Sequence, residues 1–379
     1  MNDADPSAFD AEFVARLPHE TPYFLFSEAK LLARIQEFNR YLPNVGIQYA
    51  LKANSDLGVL RILADAGCGF EAASRYELRL LKSIGVPPDK IIYGTSVKPA
   101  AHIREFAEYG ADCFACDCRS ELKKIAENAP GSRVYVRLAV NDAGSVFKFS
   151  EKFGTSKAMA FSLLEACASL GLRPYGLSFH VGSQSRNHRA WANALANVRE
   201  AMIALSQARI KLEMLNLGGG FPCQYAATDI VPTLAEIGAE IAEQYRQLPY
   251  QPKLIAEPGR GIVAEAGVLV ASVIARVPRR DTTWLFLDAG VYNGLFEAMA
   301  YQGSTRYVVA ATRPSNASGE ALFALAGPTG DSPDVITREA LLPADMEVGD
   351  KLIVRNAGAY SLSVTSEFNG FPKPAAYVI

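Results

Sequence analysis

This sequence predicts an α/β protein, a (β/α)8 barrel of the TIM type followed by a second, mostly β C-terminal domain. Three observations predict it. Short apolar runs alternate with longer amphipathic stretches, eight such runs occur before the pattern breaks, and beyond about Gly267 strand-like runs follow one another across turns rich in Gly, Pro, Asp and Asn. The eight runs are Gly46–Ala53, Cys68–Ala72, Ile91–Thr95, Cys113–Asp117, Arg133–Val140, Tyr175–Val181, Met214–Leu217 and Lys253–Glu257. Apolar strands alternating with helices indicate a parallel sheet buried on both faces, and eight units favour a closed barrel over an open sheet. After the break, Val268–Val277, Trp284–Leu287, Tyr307–Ala311, Leu322–Ala326, Lys351–Arg355 and Ala376–Ile379 read as strands, and Thr21–Phe26 is extended as well. The barrel is expected over residues 27–266 and the β-rich domain over residues 1–26 plus 267–379.

A chain of 379 residues, 49% hydrophobic and 21% charged, is long enough for a sizeable core and has an ordinary globular balance. Its 38 basic and 40 acidic residues give a formal net charge of -2, so no basic excess exists to neutralise a nucleic-acid backbone. Apolar runs such as Gly267–Val277 are too short or too interrupted to span a bilayer, and the acidic start Met1-Asn2-Asp3-Ala4-Asp5 has no apolar leader. The expectation is a cytoplasmic protein without nucleic-acid or membrane partners. Of six cysteines, Cys113, Cys116 and Cys118 cluster, but no second Cys or His pair accompanies them. They read as small apolar side chains in or beside a buried strand rather than as a metal site.

In a barrel of this kind function gathers at the C-terminal ends of the strands. The first ends in Tyr49-Ala50-Leu51-Lys52-Ala53-Asn54. A lysine in an apolar strand is costly to bury while charged, and burial lowers its pKa toward a nucleophilic amine suited to Schiff-base formation; a lysine paired with an acid is the plainer alternative. The second strand ends around Glu71 and the sixth around His180, a flat imidazole placed either to stack on a planar cofactor or to sit hydrogen-bonded in the core. The seventh runs into Gly218-Gly219-Gly220, whose backbone N–H groups are able to approach an anion closely, although a glycine triplet also makes a sharp turn. The eighth ends in Glu257-Pro258-Gly259-Arg260. That acid suits a protonated ring nitrogen and that arginine a phosphate, against the alternative of a Glu–Arg pair in a turn. Each signal alone is modest; together at strand ends they point to a cofactor site.

The motifs Tyr49–Asn54, Gly67–Ser74, Ser178–Gln184, Leu217–Pro222, Ala256–Arg260, Gly327–Asp334 and Gly358–Phe371 occur in this order over nearly the whole chain. In them the sequence resembles the alanine-racemase-fold (fold type III) pyridoxal-phosphate decarboxylases, the group of ornithine, lysine, arginine and diaminopimelate decarboxylases. Asp331 in Gly-Pro-Thr-Gly-Asp-Ser-Pro-Asp favours the ornithine and lysine branch. The resemblance implies pyridoxal 5'-phosphate as cofactor, decarboxylation of a basic L-amino acid to its amine, and a place in polyamine biosynthesis. By the same resemblance Lys52 carries the cofactor as a Schiff base, His180 stacks on the ring, and Glu257 meets the ring nitrogen. Gly218, Gly219, Gly220, Ser183, Gly259, Arg260 and Tyr360 belong to the phosphate end, with Glu71 supporting the lysine or ring and Arg137 standing behind the site. It also implies a head-to-tail homodimer with shared active sites, in which Asp331 reaches the distal substrate amine across the interface and a Lys152–Asp334 pair bridges the subunits.

Two departures qualify that reading. The family places a cysteine that helps return the proton to Cα where this chain has Gly330, and no cysteine follows Cys223. Retained decarboxylation with an altered pocket or substrate is favoured, with decarboxylation-dependent transamination or racemisation on the same scaffold as the alternative. The specificity segment after Tyr292 holds Glu297 and, where some ornithine enzymes have an aspartate, Gln302. Tyr292, Glu297, Gln302 and Asp331 are therefore the candidate substrate residues, and a larger or modified basic amino acid joins ornithine and lysine as a candidate.

Overall fold

The computed structural model describes residues 9–300, 307–314 and 319–379. Its contacts gather into two compact units, residues 35–222 with 230–259, and residues up to Arg34 with 223–229 and 260–379.

The first unit is a parallel barrel. In chain order its strands are Val45–Ala50, Gly69–Glu71, Ile91–Ile92, Cys113–Cys116, Arg133–Arg137, Arg173–Ser178, Met214–Asn216 and Lys253–Ala256. Each pairs in parallel with the next, and the eighth returns to the first through Leu254↔Val45, Ile255↔Gly46 and Ala256↔Ile47. The third and fourth are joined by the single bridge Tyr93↔Phe114. All eight expected runs are therefore strands. Ile92, Cys113, Ala115, Tyr135, Met214 and Ile255 fill the interior as one buried cluster, and Cys116 is buried on the fourth strand as well.

The intervening helices start where a side chain satisfies their first free N–H groups. Asp56 accepts from the N–H groups of Gly58 and Val59, Ser74 from Glu77, and Ser156 from Met159. Thr233 and Glu236 exchange such bonds in a full capping box. An antiparallel pair, Ser145–Phe147 with Ser183–Ser185, interrupts the alternation. It escapes the sequence reading because both strands have three residues and lack an apolar run.

The second unit is a mostly antiparallel sheet in the order Val309–Ala311, Lys351–Val354, Gly267–Arg279, Thr282–Leu287, Glu320–Ala326, Val335–Pro343. Tyr23–Phe26 joins it, antiparallel to Gly267–Val270 and parallel to Ala375–Val378. Phe9, Val14, Tyr23, Leu25, Val268, Val270 and Ile353 form its core cluster. The strand Val335–Pro343 was not expected from sequence; Arg338 and Glu339 break its apolar pattern on a strand with one neighbour in the sheet. Among the described residues no helix is long and apolar enough to cross a membrane.

Candidate active site

Parallel pairing puts the C-terminal ends of the barrel strands on one rim. Lys52 lies just past the first strand, in the one-turn 3-10 helix Leu51–Ala53. Its side chain is 44% exposed, with Nζ 3.8 Å from Oε2 of Glu71. The expected buried lysine is thus an open one, because the strand ends at Ala50 and the chain turns before Lys52. Glu71 is buried at the end of the second strand. Two further carboxyls share its field. Burial first, then Glu71, pushes Glu257 up to about 7, and the same two causes push Glu77 up to about 7. Glu77 also accepts from the N–H of Ala73 at 2.6 Å.

His180 follows the sixth strand, buried, with Nδ1 accepting from the N–H of Gly182 at 3.0 Å. Burial, then the charges of Arg137 and Lys52, hold it well below the usual imidazole range, so it is neutral with its proton on Nε2. The edge of the Phe149 ring meets it, with centroids 5.0 Å apart. Arg137 ends the fifth strand, its guanidinium over the Phe153 ring at 5.2 Å. Ser183 is buried in the short antiparallel pair. Gly218 and Gly220 have φ of +64° and +109°. A Cβ on Gly219 would stand 2.9 Å from Nε2 of His180 and from the Glu257 carbonyl, and one on Gly220 2.6 Å from the Gly182 carbonyl. Gly259 answers a different demand: a Cβ there would meet that of Ala53 at 2.8 Å, beside the Lys52 turn. The sequence reading did not single out Glu77 or Asn216; the latter donates from Nδ2 to Oε1 of Glu257 at 2.6 Å.

The remaining candidates belong to the second unit. Arg260 is buried and gripped by Glu297, Nη1 donating to Oε2 at 2.6 Å and Nη2 to Oε1 at 2.7 Å. Nη1 also donates to the hydroxyl of Tyr225, and the guanidinium lies 4.7 Å from the Tyr360 ring centroid. Both oxygens of Glu297 are engaged by a cation of its own chain, which is not the free acid the sequence reading offered to a substrate amine. Asp331 is exposed and accepts from the hydroxyl of Tyr292, so these two candidates do come together. Asp334, expected to bridge to Lys152 of the partner subunit, is buried in its own chain and accepts from the N–H groups of Val291 at 2.8 Å and Thr329 at 3.1 Å, and from the Thr329 hydroxyl at 2.7 Å. Gly330 is exposed, and a Cβ on it would meet nothing within 4 Å; sterics do not impose glycine there. Gln302 lies outside the described residues.

The barrel rim fits pyridoxal phosphate on its own features. An open lysine stands beside an acid whose buried Oε2 accepts no hydrogen bond among the described residues. A neutral histidine backs a glycine turn in which a Cβ would fill the space against the ring. Fold and rim define a barrel-type enzyme that uses this cofactor for amino-acid chemistry. The chain belongs to the pyridoxal-dependent decarboxylases, whose pyridoxal-binding domain matches residues 28–264. It is 34% identical to the lysine/ornithine decarboxylase of Selenomonas ruminantium over 94% of this chain and 88% of that protein. With antizyme inhibitor 2 of Xenopus laevis it shares 30% identity over 97% and 83%. The lysine/ornithine decarboxylase of Vibrio vulnificus complexed with putrescine superposes with a TM-score of 0.89 at 32% identity, covering 98% of this chain and 99% of that one.

Proposed function

We propose that this protein decarboxylates a basic L-amino acid, ornithine, lysine or a larger relative, to its amine and CO2 with pyridoxal phosphate. The observation that carries the reading is the rim itself: Lys52, Glu71, His180, Glu257 and the glycine turn at the ends of parallel strands. When bound, the cofactor supplies an electron sink for the pair left on Cα as CO2 departs. Lys52 offers the amine that holds it, and Glu71 places its Oε2 3.8 Å from that amine. Neutral His180 presents a flat face without adding charge, and Glu257 holds an acid toward the ring nitrogen. Gly218, Gly219, Gly220 and Ser183, with Arg260 and Tyr360, are assigned to the phosphate. The Tyr292–Asp331 pair is assigned to the distal amine, and Arg137 supports the field at Glu257. We assign the molecule to the cytoplasm as a head-to-tail homodimer with shared sites, and six cysteines with no disulfide among them accord with a reducing compartment.

The test is a panel of L-ornithine, L-lysine, L-arginine and larger basic amino acids with CO2 trapping and mass identification of products. Release of CO2 with amine formation is expected, and Lys52→Ala abolishes it together with the cofactor's near-visible absorbance. No CO2 from any of them rejects the proposal, and an absent absorbance band in the parent protein would make it a non-enzymatic relative. Mixing Lys52→Ala with Asp331→Ala subunits is expected to restore part of the activity if sites are shared.

A second reading is favoured by Gly330 alone. Without a side chain there to direct the final proton, part of the turnover ends in aldehyde and pyridoxamine phosphate rather than amine. Gly330→Cys, for which the structure has room, is expected to lower that fraction; retained carboxylate with inverted Cα would instead mark a racemase.

A further inference from the structure

Asn216 is the last residue of the seventh barrel strand and is fully buried. Its amide works in two directions: Nδ2 donates to Oε1 of Glu257 at 2.6 Å, and Oδ1 accepts from the N–H of Gly218 at 2.9 Å. The backbone closes the circuit, since the N–H of Glu257 donates to the carbonyl of Gly218 at 2.8 Å. The main chain of Asn216 is pinned on both sides, in register with Ser178 and Ile255, and its carbonyl accepts from the N–H of Phe179 at 3.2 Å. A buried amide whose donor and acceptor are both engaged has no freedom to turn.

We propose that Asn216 is a positioning residue for the reaction: its amide fixes the direction of the Glu257 carboxylate and couples it to the glycine turn. The inference rests on Glu257 being the acid toward the ring nitrogen. A buried carboxyl facing Glu71, with Lys52 and Arg137 as its nearby cations, gains from an N–H aimed at one oxygen, because that bond favours the carboxylate and sets the direction of the other oxygen. Only an amide serves both arms. Aspartate keeps the acceptor for Gly218 and donates to Glu257 only while it carries a proton. Leucine has a similar volume and serves neither arm.

The two substitutions therefore separate the arms in the holoenzyme, assayed with whichever of L-ornithine or L-lysine yields CO2 in the parent. Asn216→Asp is expected to approach parent kcat at the acidic end of the working range and to lose it as pH rises and the proton shared with Glu257 leaves. This alkaline limb, absent from the parent, would appear in both kcat and cofactor absorbance. Asn216→Leu is expected to lower kcat roughly ten- to hundredfold at every pH with a much smaller change in KM, and to release cofactor faster on dialysis. Circular dichroism and thermal unfolding check that each variant folds; if the leucine variant does not, the near-isosteric aspartate variant decides alone. The proposal is overturned if the Asn216→Asp profile superimposes on the parent's, or if a folded Asn216→Leu keeps parent kcat and cofactor retention. Glu257→Gln separates the two layers. Were that variant to behave as the parent, the role of Glu257 itself would fail. An impaired Glu257→Gln beside unimpaired Asn216 variants overturns this proposal only.

Discussion

Arg260 and Glu297 form an ion pair with both charges removed from water, at 3% and 6% side-chain exposure respectively. Breaking such a pair leaves a bare charge in the interior and costs about 3–5 kcal/mol. Glu297→Ala is accordingly expected to lower stability by that order in denaturant unfolding, whichever substrate is used. An unchanged midpoint with a raised KM would return Glu297 to the substrate pocket. Glu77 makes a prediction in pH. Its folded-state pKa is raised from 4.5 to about 7, so the native state holds a proton the unfolded chain has released, and that stabilising contribution fades as pH rises through this window. Glutamine does not titrate. The melting temperature of Glu77→Gln relative to the parent is expected to climb between about pH 4.5 and 7 and then level off; a difference that stays flat over that range would contradict it.

At the scale of elements, the glycine turn after the seventh strand separates shape from strain. Gly220 combines φ of +109° with a carbonyl 2.6 Å from any added Cβ. Gly220→Ala is expected to cost roughly 1–3 kcal/mol by thermal unfolding. Gly219 has no positive φ, and a Cβ there would stand 2.9 Å from the Glu257 carbonyl and from Nε2 of His180. Its alanine variant is expected to lose less stability than Gly220→Ala, because it carries the carbonyl clash without the positive φ, while releasing cofactor faster, read as absorbance lost on dialysis. The elements themselves were largely legible in the sequence. Barrel strands are buried on both faces and so declare themselves as apolar runs; Val335–Pro343, half in solvent, and Ser145–Phe147, three residues long, do not. Candidates for the site could be named from sequence where one residue type suits the chemistry, as at Lys52, His180 and Glu257. The site was not legible where meaning comes from a partner far along the chain. Asn216 before a glycine triplet looks like a turn former until Glu257, 41 residues on, is seen against it. Glu297 looks like a free acid until Arg260, 37 residues back, is seen in its grip.

At the scale of the whole molecule, the barrel's closure is uneven. The first and second strands share three paired positions, whereas the third and fourth share the single bridge at Tyr93 and Phe114. There two backbone bonds remain, from the N–H of Tyr93 to Cys113 and from that of Ala115 to Tyr93, each 2.9 Å. A side chain stitches the same place: fully buried Lys98 donates to the carbonyls of Thr95 at 2.9 Å and Ala115 at 2.5 Å, with Nζ 3.1 Å from Glu121. The ring is thus a ribbon with one lightly sewn seam, held partly by an ion pair rather than by a ladder. Such a seam opens before the rest unfolds. The amides of Tyr93 and Ala115 should exchange with deuterium ahead of those of Tyr49 and Phe70, and Lys98→Met should widen that gap. Equal rates at the two places would mean that the barrel breathes as a whole rather than unbuttoning from one side.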